Sequence, residues 1–226
     1  MKPEIRHSFN LSFREAAELQ KKLSAKISMP RKTKTVGTVC GVDVSYSLKT
    51  SLFFAGAVVL SFPGMEILSS VTAKGTVSFP YVPGFLSFRE IPVLRKCLLR
   101  LGRKPDVIMV DGQGIAHPRK FGLASHIGVT YNIPSIGCAK SLLVGEFNEP
   151  GTKKGSKSPI IYKGEQVGCA LRTKDNVKPV FISVGNLISL RDALNIALIS
   201  AKRYRIPEPT RQAHMLVNNF RKNHEK

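Results

Sequence analysis

The chain has 226 residues, 42% of them hydrophobic, enough for one α/β domain with a core that needs no disulfide or metal staples. Its 35 Lys and Arg against 15 Asp and Glu leave a net charge of +20. Self-repulsion on that scale points to a polyanionic partner, nucleic acid first and a membrane surface a distant second; the charged surface of a heat-adapted protein would carry more Glu than this. The longest apolar stretch, Leu52 to Leu60, contains Gly56 and falls far short of the roughly 18 residues a spanning helix needs, and the N-terminus has no apolar leader core, so the expectation is a soluble, cytoplasmic protein.

In chain order, Ser12 and Glu15 form a capping box that opens a helix with Ala16, Leu19, Leu23 and Ile27 on one face. Its other face carries Lys21, Lys22 and Lys26, and Arg31, Lys32 and Lys34 follow, a solvated basic surface able to meet phosphates. Three strand-like runs, Val36 to Tyr46, Leu52 to Ser61 and Met65 to Val77, are joined by short loops and predict an antiparallel meander. Pro80, Pro83 and Gly84 then break the chain. A short helical segment follows, and Pro92 is expected to interrupt it and open a second helix to Leu101, leaving Glu90 at the break. Val107 to Val110 is wholly apolar and reads as a buried central strand ending in Asp111-Gly112-Gln113-Gly114. A helix over Gly122 to Tyr131 leads to a strand, Ser135 to Ala139, that stops at Lys140. Strands over Ile160 to Tyr162, Gln166 to Arg172 and Val180 to Val184 precede helices over Ser189 to Arg203 and Thr210 to Arg221, with 221–226 a frayed basic tail. Gly151 to Lys157 reads as a mobile basic loop. The order, a meander followed by βα units, predicts a single domain with a mixed sheet and helices on both faces.

The chemistry sits on that sheet. Asp43 lies alone in an apolar strand, on the opposite parity from Cys40, Val42 and Val44, and Asp111 ends a buried strand where ligands of open α/β sheets collect. An unpaired buried carboxylate is expensive, and two on neighbouring strands repel; a hard divalent cation with oxygen ligands removes that cost. The alternatives are that Asp111 caps a turn or that each acid pairs with a lysine. Glu90, taken alone, reads as a surface helix residue, and His214, one step off the stripe Ala213, Leu216, Val217 and Phe220, reads as a boundary histidine. Cys40, Cys97, Cys138 and Cys169 form no CxxC pair and read as buried thiols. The run from Gly151 to Ser158 has the wrong spacing for a phosphate-binding loop, no GxSxG elbow exists, and His117 and His126 lack zinc-ligand spacing.

Seven blocks occur in an order that closely resembles the endonuclease V family: GVDVS at 41–45, FPYVPG at 79–84, FRE at 88–90, VDGQGIAHPR at 110–119, GLASH at 122–126, GCAKS at 137–141 and IPEPTR at 206–211. The resemblance is weakest before Val36 and over 149–158. It implies an RNase H-like fold and an endonuclease that, with Mg²⁺ or Mn²⁺, nicks DNA containing deoxyinosine at the second phosphodiester 3′ to the lesion. Carried over by motif, Asp43 and Asp111 are the metal ligands, and Glu90, Lys140 and His214 complete the catalytic set. Pro80, Tyr81, Val82 and Pro83 match a strand-separating wedge, with Tyr81 packing on Phe85 or Phe88 as the alternative. Gly112, Gly114, His117, Gly122, Ser141 and Leu142 match the surroundings of the displaced base. Ser183-Val184-Gly185-Asn186 departs from the Ser-Pro-Gly-His common in relatives. The partner implied is deoxyinosine DNA, with inosine RNA as the alternative, met by a monomer; a binding module without catalysis and a different RNase H-like nuclease are the rival classes.

Overall fold

A computed structural model describes residues 1–29 and 35–225. Arg31, Lys32 and Lys34 of the expected basic surface lie outside the described residues. Helix α1 (Phe13–Ser24) opens with the expected capping box: Ser12 Oγ accepts from the Glu15 amide, and Glu15 accepts from the Ser12 amide at 2.8 Å. Strands β1 (Thr38–Tyr46), β2 (Phe53–Ser61) and β3 (Ile67–Gly75) form the antiparallel meander. β1 then pairs in parallel with β4 (Val107–Val110), and β4 in parallel with β5 (Ser135–Ala139). The sheet has eight strands in the order β3-β2-β1-β4-β5-β8-β7-β6. Its far half, β6 (Lys157–Tyr162), β7 (Glu165–Leu171) and β8 (Val180–Asn186), is a second antiparallel meander, so among the described residues parallel pairing is confined to β1, β4 and β5.

Strand parity divides the core between the two faces. Cys40, Val42, Ile108 and Val110 pack against Ile91 and Leu94 of α2 (Leu86–Arg100) and Ile127 of α3 (Leu123–Tyr131). Val39, Met109, Ile136 and Cys138 face the other way, toward Ala193 and Ala197 of α4 (Leu190–Ser200). Helix α5 (Glu208–Glu225) covers β1 and β2 on that same second face, with Ala213 against Val58 and Leu60. A Cβ on Gly41 would stand 1.8 Å from the Pro209 carbonyl oxygen, so the helix rests directly on the strand backbone. All four cysteines are buried and free, and burial pushes the thiols of Cys40 and Cys97 up to about 12.

Three expectations need correcting. Pro92 does not break the chain: α2 runs through it, and Glu90 sits inside the helix. The proline forfeits one helical hydrogen bond, but Phe88, Ile91, Leu94 and Leu98 are buried on both sides of it and hold the helix together. The segment from Gly151 is tied down, because the buried guanidinium of Arg172 needs acceptors: it donates to Gly151 O at 3.0 Å, Pro150 O at 2.6 Å and Glu149 Oε1 at 2.7 Å. Lys157 already belongs to β6. The tail read as frayed continues α5 to Glu225, held by an Arg221–Glu225 ion pair at 3.1 Å and by His224 packing on the Phe54 ring.

Candidate active site

Three adjacent parallel strands each deliver one charged side chain near their carboxyl ends: Asp43 from β1, Asp111 directly after β4, and Lys140 directly after β5. Val42 pairs with Val110, so the two aspartates follow one another across the ladder. Glu90 reaches the same place from α2 and is partly buried. The carboxylates sense one another. Burial first, and then the charges of Asp43 and Asp111, push Glu90 well above the ordinary carboxylate range. Burial and the Asp111 charge also raise Asp43, against a hydrogen bond from His214.

Two cationic or proton-bearing groups offset this repulsion. His214 Nδ1 donates to Asp43 Oδ2 at 2.8 Å, and the Lys140 ammonium pairs with Asp111 Oδ2. The other edge of the imidazole meets Asn218 Nδ2 at 2.9 Å. The boundary position of His214 is what its off-stripe register implied; its side chain is 53% exposed. Crowded hard oxygen donors suit a divalent cation of the Mg²⁺ type. Among the described residues no three His, Cys, Asp or Glu side chains close a ready-made cage, so an ion here would complete its shell with water and substrate oxygens, as Mg²⁺ commonly does.

Beside the acids opens a cavity of about 350 Å³. Asp111 and Lys140 form part of its wall together with Tyr81, Val82, Pro83, Gly112, His117, Gly122, Ser141 and Leu142. Pro80 is exposed outside the lining, and Gly114 lies behind it, where a Cβ would stand 2.0 Å from the Val184 carbonyl oxygen. Gly122 closes the wall, since a Cβ there would meet Gln113 O at 2.4 Å. Gln113 Nε2 donates to Ser141 O at 3.0 Å and joins the two loops on either side. Tyr81 is 67% exposed at the mouth, while Phe79 fills the aromatic cluster with Phe85 and Phe88. The alternative in which Tyr81 packs into that cluster is therefore not what the fold adopts.

The turn that carries Tyr81 ends at Gly84, with φ of +81°, a conformation that favours glycine. Three donors converge on its carbonyl: Gln20 Nε2 at 3.1 Å, His117 Nε2 at 3.0 Å and Arg119 Nη2 at 2.6 Å. Arg119 Nε also donates to Gln20 Oε1 at 2.6 Å. His117 Nδ1 accepts from the Arg119 amide at 3.2 Å, and burial, with Arg119 adding to it, lowers the His117 pKa to about 4. The ring is thus neutral and both its nitrogens are engaged inside the protein. It lines the cavity, and its ring nitrogens hold the turn. Asn186 is likewise a buried clamp, accepting from the Ser28 amide at 2.9 Å and donating to Gly128 O at 2.9 Å.

Sequence reasoning missed Gln20, Arg119 and Asn218. Gln20 carried a weak signal, a polar residue between Leu19 and Leu23 near the apolar face of α1. Arg119 ends the block at 110–119 but no role was read from it, and Asn218 carried no signal, because their partners are far away in sequence or were themselves unplaced.

Acids and a lysine at the ends of adjacent parallel strands, opening onto a cavity lined by a wedge-like turn in a strongly basic chain, define a hydrolase of nucleic-acid phosphodiesters. The family model for Endonuclease V matches residues 11–215. Endonuclease V of Dictyoglomus turgidum is 50% identical over 204 residues, covering 90% of this chain and 88% of its own. The crystal structure of Endonuclease V from Streptomyces avermitilis superposes with a TM-score of 0.92 at 41% identity, covering 98% of both chains. Endonuclease V from Ciona intestinalis, solved with a DNA 23mer containing inosine followed by a ribo-adenosine, is 33% identical with a TM-score of 0.83, over 94% of this chain and 99% of its own. The chain belongs to the endonuclease V family.

Proposed function

We propose that the protein is a metal-dependent repair endonuclease that takes a deoxyinosine into the cavity and nicks the second phosphodiester on its 3′ side, leaving a 3′-hydroxyl and a 5′-phosphate. The observation that carries this is that Asp111 and Lys140 line a cavity of about 350 Å³, room for a flipped purine base next to a phosphate-handling ledge. The inosine-containing DNA bound by the Ciona enzyme supports the choice of lesion.

Asp43 and Asp111 would hold Mg²⁺, with Mn²⁺ able to replace it, and the ion's contribution when bound is to neutralise the phosphate and acidify water. Glu90 supplies the third acid, its carboxyl held above the ordinary range by burial and by the charges of Asp43 and Asp111. Lys140, which stands against Asp111 at the end of the neighbouring strand, would place its charge where negative charge develops on the phosphate. His214 orients Asp43. Pro80, Tyr81, Val82 and Pro83 act as the wedge, two prolines stiffening a turn whose ring can fill the stack left by the base. The net +20 charge supplies the sequence-independent grip on the backbone. No helix among the described residues is long and apolar enough to cross a membrane. A cytosolic monomer suits a nuclease with four free thiols and access to the genome.

The test is nicking of matched oligonucleotides with and without one inosine, in DNA and in RNA, with Mg²⁺ and with chelator. Cleavage of inosine DNA dependent on Mg²⁺ is expected. Equal cleavage of undamaged DNA, or cleavage undiminished by chelator, would overturn the reading. The ribo-adenosine in the Ciona complex favours one second reading, cleavage of inosine RNA, which the RNA arm decides.

A further inference from the structure

Four polar side chains form a hydrogen-bonded chain between β1 and α5. Asp43 and Ser45 stand two residues apart on one face of the strand, and His214 and Asn218 one turn apart on the helix. His214 Nδ1 lies 2.8 Å from Asp43 Oδ2, Asn218 Nδ2 lies 2.9 Å from His214 Nε2, and Ser45 Oγ donates to Asn218 Oδ1 at 3.2 Å.

With Ser45 donating to Asn218 Oδ1, the amide nitrogen is the edge turned to the imidazole, and this sets the donor roles. A carboxylate accepts, so Nδ1 carries the imidazole proton. Nε2 faces the Asn218 amide nitrogen, a donor, and accepts from it. In this arrangement each of the three contacts pairs a donor with an acceptor. With its side chain 53% exposed, His214 would swing about Asp43 if that were its sole tether.

We propose that Asn218, itself oriented by Ser45, is a positioning residue that fixes the ring plane and the Nδ1–H tautomer of His214 against Asp43. The inference rests on the reading of His214 as part of the reactive site. Asn218 acts through the imidazole it hydrogen-bonds.

The experiment combines kinetics with side-chain ¹⁵N spectra of the histidines in the metal-free protein. Asn218→Ala, and Asn218→Asp, which keeps the shape but cannot donate to Nε2, should each lower kcat on inosine DNA about tenfold, the lower end for partners that orient a site residue, with KM and melting temperature unchanged. In a His214→Ala background Asn218→Ala should add no further loss, because one acts through the other. Both Asn218 variants should move the His214 Nε2 resonance, and Ser45→Ala should move it less. Normal kcat in Asn218→Asp, additive losses in the double variant, or an unmoved resonance would each overturn the inference. Normal nicking by both Asn218 variants beside an inactive His214→Ala would overturn it alone, whereas full nicking by His214→Ala would remove the site reading beneath it.

Discussion

The acidic ledge and the cavity beside it are built in different ways. The ledge is regular secondary structure: strand ends bring Asp43, Asp111 and Lys140 side by side, and a helix lying on the backbone at Gly41 brings His214 to Asp43. The cavity is made of loops, closed where Gly122 lets two backbones touch and braced by side chains that donate to carbonyls such as Gly84 O and Ser141 O. In the ledge, charge is the variable and the backbone is fixed by the sheet. In the cavity, backbone shape is the variable, and the polar side chains serve to hold it. Chemistry and recognition should therefore fail separately.

The sharpest break removes a ledge charge. Asp43→Asn or Asp111→Asn should lower kcat on the order of a thousandfold or more, as losing a main electrostatic element does, while binding of inosine DNA in chelator survives. Near-normal nicking in Mg²⁺ by either variant would sink the assignment. The cavity's counterpart is Tyr81→Ala. Base–aromatic stacking is worth ~1–3 kcal/mol, so affinity for inosine DNA should fall roughly tenfold to a hundredfold, with an eroded preference over normal DNA. The melting temperature should hold, because the ring is mostly exposed. An unchanged inosine-to-normal binding ratio would end the wedge assignment.

A third substitution damages the ledge through its backbone. Gly41→Ala puts a methyl into the Pro209 carbonyl, so α5 must lift, withdrawing His214 from Asp43. Overpacking of this kind should cost about 1–3 kcal/mol of stability and lower kcat, with binding in chelator intact. The smallest effect sharpens the comparison by its sign. Glu90 titrates higher in the folded than in the unfolded chain, so its contribution favours folding below the unfolded carboxylate pKa and is lost as pH rises through the folded one. Glu90→Gln should therefore stabilise the metal-free protein at neutral pH by ~2–4 °C, about what 1 kcal/mol gives at this size, and the gain should vanish in acid. Melting curves at two pH values read this directly; a destabilised Glu90→Gln at neutral pH would mean that the carboxylate is not strained there.

The same division explains what was legible in the sequence. Asp43 announced itself as one acid in an apolar strand, and Val107–Val110 was recoverable to the residue because a buried parallel strand reads as an unbroken apolar run. Local rules misled at Pro92, where burial of α2 on both sides outweighs one missing hydrogen bond. They were also silent on the sheet's second half, since nothing in a strand's own sequence says that β8 pairs antiparallel to β5. The wall of the cavity was reached through motif resemblance, and its braces were not seen at all. Gln20 and Arg119 are 99 residues apart, and no periodicity connects a polar residue in α1 with an arginine in a loop.

The convergence of Gln20, His117 and Arg119 on one carbonyl decides who moves when protein meets nucleic acid. A turn pinned by three donors at its base is a finished tool, not a lid awaiting order. On the proposed reading the conformational work then falls on the duplex, and the search along undamaged DNA becomes a mechanical survey: a stiff probe presses on successive base pairs and enters where pairing gives way most easily. Weak pairing at the lesion would select the position before any atom of the base is read.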